Sequence, residues 1–144
     1  MRNIKWFFLF ILVTFSFSNA QGVIGKMYSK QEADNLYGPV ITAVQVQTSF
    51  LNKYLINQDG YIMFRICNNS LLIADHQRRA LYPESAIINP QDIFRYFSIS
   101  MILKTITSGN EPDTKIELRN NNIITITNGN STLEMGVLCP PFCM

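Results

Sequence analysis

Past residue 20 the sequence has no tryptophan, a single histidine (His76), three cysteines, and as many acidic side chains as basic ones, ten of each. Each shortage removes a class of function. Zero net charge denies the basic face that a phosphate backbone requires, so nucleic-acid binding is not expected. One histidine leaves no His-Glu-x-x-His zinc helix, and no Gly-x-Ser-x-Gly elbow accompanies it. Gly22-Val23-Ile24-Gly25 follows no predicted strand, so it does not read as a phosphate loop. The carboxylates are scattered, and no pair is marked out for acid–base work on a sugar. No reactive set converges, no cofactor or metal is implied, and the chain reads as non-catalytic.

The chain begins with a three-part leader. Arg2 and Lys5 give a positive start, Trp6 to Phe15 is apolar but for Thr14, and Ser18-Asn19-Ala20 supplies the small-residue cleavage pattern. The run is little more than half of the roughly 20 residues that span a bilayer. Residues 1–20 are therefore expected to be a cleaved export signal. No later apolar stretch is long enough to cross a membrane. Residues 21–144 are expected to form one small domain, secreted or periplasmic, with no membrane span after cleavage.

Local signals give that domain an α+β fold dominated by antiparallel hairpins, with one or two short helices. Residues 21–28 read as an arm. Ser29-Lys30-Gln31-Glu32 is a capping box, and Gly38-Pro39 ends the short helix that it opens. Val40 to Phe50 alternates as a strand does. Asn68-Asn69 reads as a two-residue turn, which pairs Ile66 with Leu71 and Phe64 with Ile73. Residues 89–109 admit two readings: strand 92–97 followed by helix 99–108, or one alternating strand from Phe97. Ile99, Ile102, Leu103 and Ile106 have helical spacing, Ser98 or Ser100 can cap, and Gly109 fits a left-handed stop, so the strand–helix reading is preferred. Residues 115–119, 123–127 and 131–137 form a three-stranded meander, turning at Asn120-Asn121-Asn122 and at Asn128-Gly129. The second turn sets Leu133 opposite Ile124.

Three cysteines cannot all pair within one exported chain. Cys139-Pro140-Pro141-Phe142-Cys143, in the tail 138–144, is expected to close as a small disulfide between Cys139 and Cys143. The alternatives are a bond from Cys67 to one of them, or a thiol- or metal-handling role for Cys139 and Cys143, whose Cys-x₃-Cys spacing departs from redox motifs. His76, Arg78 and Arg79 form a possible weak anion or partner site beside Asp75. Phe94 and Tyr96 alternate against Phe97, as core side chains do or as a tyrosine platform would. The sequence thus implies a small exported interaction or structural module, taking a protein or extracellular polymer on an exposed strand edge, that beside the terminal tail.

Overall fold

The computed structural model describes residues 22–139 apart from 57, 59 and 135. The leader and Cys143 lie outside the described residues. The elements run β1 (Lys26–Ser29), α1 (Lys30–Tyr37), β2 (Thr42–Gln47), α2 (Thr48–Leu55), β3 (Tyr61–Cys67), β4 (Ser70–Asp75), β5 (Ala80–Tyr82), β6 (Phe94–Ser98), α3 (Ile99–Gly109), β7 (Asp113–Arg119), a 3₁₀ turn (Asn120–Asn122), β8 (Ile123–Asn128), β9 (Ser131–Glu134) and β10 (Val137–Cys139). The strands make two antiparallel sheets of five, in the orders β1-β9-β8-β7-β2 and β10-β6-β3-β4-β5. The fold is α+β and β-dominated.

Several local readings hold. Ser29 Oγ accepts from the Glu32 amide while Glu32 Oε2 accepts from the Ser29 amide, the reciprocal capping of α1. Asn68 and Asn69 both take positive φ, and Ile66 faces Leu71 and Phe64 faces Ile73. Ser98 precedes α3, although its Oγ accepts from the Ile24 amide at 2.7 Å instead of capping the helix.

Four readings are corrected. The arm contains a strand: β1 pairs with β9 along Lys26–Ser29. The strand expected to reach Phe50 stops at Gln47, where Leu51 and Leu55, both buried, begin a helical face. The left-handed residue after α3 is Asn110 (φ 55°), and Gly109 is needed for a different reason: a Cβ there would overlap the Asn128 carbonyl. The last hairpin turns at Gly129-Asn130, so Leu133 faces Ile126 and not Ile124. Asn128 causes that slip of two residues. Its Nδ2 donates to the Glu111 and Asp113 carbonyls and to Thr114 Oγ1, each at 3.0 Å, which holds Asn128 in the strand and moves the turn past it.

The main core lies between the sheets. Ile62, Phe64, Ile66 and Ile73 meet Ile116, Ile126 and Leu133, with Leu51 and Leu55 of α2 and Ile99, Ile102 and Ile106 of α3 in the same cluster. The opposite face of β3 and β6 carries a second cluster of Tyr61, Met63, Phe94, Tyr96 and Cys139, partly covered by Ile24 and Ile88. Phe94 and Tyr96 are therefore core side chains. The strand expected over 131–137 also divides: β9 ends at Glu134 and β10 joins the other sheet, with Gly136 between them where a Cβ would overlap the Phe97 ring.

The far side of the first sheet is buried but polar. Glu117 and Arg119 alternate with core-facing Ile116 and Leu118, and Thr125, Thr127 and Thr132 join them from β8 and β9. Glu117 Oε2 accepts from Thr127 (2.9 Å), Thr125 (3.0 Å) and Arg119 Nη2 (3.1 Å). Arg119, fully buried, also donates to Asp34 Oδ1 at 2.8 Å and to the Gly38 carbonyl, which ties α1 down over this face.

Candidate functional site

A sheet edge offers unpaired backbone groups, and proteins usually blunt such edges with charge, proline or brevity. Three of the four edges here are blunted. β1 has four residues and carries Lys26, while β5 has three and runs into Pro83. β10 has three, is followed by Pro140-Pro141, and its Cys139 carbonyl accepts from Arg78 Nη1 at 3.5 Å. The edge beside the terminal tail is therefore short and already in part occupied.

β2 differs. It spans six residues, Thr42–Gln47, with neither proline nor charge, and no charged residue occurs anywhere from Asn35 to Asn52. Among the described residues it pairs only with β7, in the register Thr42↔Leu118, Val44↔Ile116, Val46↔Thr114. The phase of that ladder follows from the next step, where the Thr48 amide donates to the Pro112 carbonyl at 2.8 Å. Antiparallel pairs alternate, so Thr42, Val44 and Val46 spend their backbone groups on β7. Ala43, Gln45 and Gln47 turn theirs outward. Among the described residues no hydrogen bond reaches the three outward amides, nor the carbonyls of Ala43 and Gln45. The side chains alternate in step: Val44 and Val46 are half-buried against the main core, while Ala43, Gln45 and Gln47 are exposed. Ile41, 60% exposed, lengthens the apolar margin at one end.

The residues expected to form an anion site have structural duties. Arg78 Nη2 donates to the carbonyls of Asn89 and Asp92, both at 2.9 Å, and Nη1 donates to Cys139 Sγ at 3.3 Å, with the guanidinium over the Phe94 ring. It fastens the 89–92 loop and β10 to the β4–β5 turn. Asp75, 1% exposed, accepts from the amides of Gln77 and Arg79 and from Arg79 Nε. His76 is exposed on that turn and carries none of this network.

Cys67 is free and exposed at the β3–β4 turn, and Cys143, the expected partner of Cys139, lies outside the described residues. Cys139 is fully buried, and Arg78 Nη1 donates to its sulfur. Among the described residues no three His, Cys, Asp or Glu side chains come together as a metal site, and no helix is long and apolar enough to cross a membrane. Sequence reasoning identified β2 as a strand without finding its edge. The signal was present as the uncharged run from Asn35 to Asn52. Comparison with protein-family models, curated proteins and solved structures finds no match for this chain.

Proposed function

We propose that this protein is a non-catalytic binding module that takes an extended segment of a partner protein onto the open edge of β2. The observation that carries the reading is the outward row of Ala43, Gln45 and Gln47 on an edge with no charge and no proline. An added antiparallel strand would find three donors and two acceptors there, each hydrogen bond worth about 1 kcal/mol net. Specificity would come from alternation. Every second side chain of the incoming strand lands beside Val44 and Val46, so the favoured partner alternates apolar and polar residues. The leader and the tail support a companion proposal: export to the periplasm or beyond, with a Cys139–Cys143 bond closing the chain's last segment.

Proline at a single position tests the docking. At residue 45 the lost amide is an outward one, so Gln45→Pro blocks an incoming strand while sparing the ladder to β7. Peptides selected by display against the immobilised protein should alternate apolar and polar residues, and should bind Gln45→Pro at least roughly tenfold more weakly. Equal binding to a folded Gln45→Pro protein would overturn the proposal.

A further inference from the structure

Arg95 poses a separate problem. It stands opposite Phe64 in the β3–β6 ladder, so its side chain projects from the face that packs against the other sheet. There its Nε donates to the Asn122 carbonyl at 3.2 Å and its Nη1 to the Gly136 carbonyl at 3.0 Å. Both partners are neutral. Among the described residues no carboxylate lies within ion-pair distance of the guanidinium, and its Nη2, which makes no hydrogen bond, is open to the cavity and solvent. Burial disfavours the charged form and pushes the guanidinium pKa down, an effect that the more distant charge of Glu134 opposes. A partly desolvated cation answered only by carbonyl dipoles is costly to hold, and an opposite charge beside it offsets that cost.

Arg95 lines a cavity of about 240 Å³ between the two sheets. Phe64, Ile66 and Ile124, all buried, form an apolar floor, and Ile93, 46% exposed, stands at the mouth. Arg65 lines the cavity too, but Asp92 answers its charge at 2.6 Å. The net demand is therefore for one negative charge. A multiply charged, strongly hydrated ion would lose its water to an apolar floor and gain one cation in return. We infer that this cavity is a binding site for a carboxylate carried on a compact apolar group. The volume matches about eight molecules of liquid water, which suits an acid of about ten non-hydrogen atoms. A free acid and the carboxyl end of a peptide present the same chemistry.

The test is a titration of the full chain followed by methyl NMR, with phenylacetate and hexanoate as free acids, N-acetyl-leucine as a peptide end, and phenylacetamide as the neutral control. Saturable shifts at Ile66 and Ile124 are expected from at least one carboxylate, with Kd of about 1 mM, as ligands of this size give. Phenylacetamide should bind at least roughly tenfold more weakly than phenylacetate. N-acetyl-leucine binding while the two free acids do not would assign the site to a chain end, and the reverse to a small acid. Arg95→Met should lose binding, and Ile93→Glu, a change at an exposed position, should lose it by placing a competing carboxylate at the mouth. Gln45→Pro should leave it untouched, because the cavity and the β2 edge are independent. No shift from any of the three carboxylates up to about 20 mM, equal binding of phenylacetamide, or binding retained in folded Ile93→Glu would overturn the inference. If Arg95→Met fails to fold, Ile93→Glu decides.

Discussion

Removing the Arg119 guanidinium should expose how the polar face of the first sheet is held. Arg119 is wholly buried, and it is the cation bonded to Glu117, itself 3% exposed; its other carboxylate, Asp34, is 44% exposed on the side chain. The Asp34 pair reaches solvent and contributes at most about 1 kcal/mol. The Glu117 side of the loss is larger. Arg119→Met leaves that carboxylate buried with only the hydroxyls of Thr125 and Thr127 as donors. A carboxylate stranded in this way costs about 3–5 kcal/mol, a fall in Tm of roughly 10–20 °C for a domain of this size. Urea unfolding followed by circular dichroism measures it. The Arg119→Met/Glu117→Gln double variant should regain at least half of the loss, because no charge is then left unpaired. A loss below about 1 kcal/mol, or one that Glu117→Gln does not relieve, would show that no charge is stranded there.

Other substitutions discriminate between neighbouring residues. Gly109→Ala should cost about 3 kcal/mol in chemical unfolding, since its Cβ would overlap the Asn128 carbonyl and neither backbone can yield. Arg78→Ala should cost about 2–3 kcal/mol by loosening the 89–92 loop and β10, whereas His76→Ala should leave Tm within about 1 °C of the parent. Tyr37 donates to Tyr28 Oη at 3.0 Å, and burial first, then this bond and the charge of Glu134, push its phenol pKa upward. A phenol raised in the folded state favours folding below the unfolded value of about 10, and that contribution is lost as pH rises beyond it. Tyrosine absorbance during alkaline titration should show one phenol ionising only with unfolding, and Tyr37→Phe should remove that step.

Much of the fold was legible wherever the information was local. The Asn68-Asn69 turn fixed a register that Ile66, Leu71, Phe64 and Ile73 all satisfy, and the spacing of Ile99, Ile102 and Ile106 identified α3. Errors arose where a distant partner decided the outcome. Asn128-Gly129 is a strong turn signal on its own, yet bonds from the Asn128 side chain to the 111–114 segment outweigh it and shift the hairpin by two residues. α2 was hidden because Thr48, Ser49 and Phe50 continue the strand-like composition of β2, and only the burial of Leu51 and Leu55 one turn apart reveals a helix. The division of β9 from β10 falls where Gly136 meets the Phe97 ring, a contact between residues 39 positions apart. Neither candidate site was visible for a similar reason. Which strand lies at an edge is a property of the whole sheet, and the isolation of Arg95 from acids depends on how two sheets face each other.

Amide hydrogen exchange resolved by residue reads directly whether β2 presents an open, unblunted edge. The amides of Val44 and Val46, which point at β7, should be protected, while those of Ala43 and Gln45 should exchange at least roughly a hundredfold faster and slow down only when a selected peptide is added. Uniform protection along β2 in the protein alone would mean that the edge is already covered, and would contradict the account.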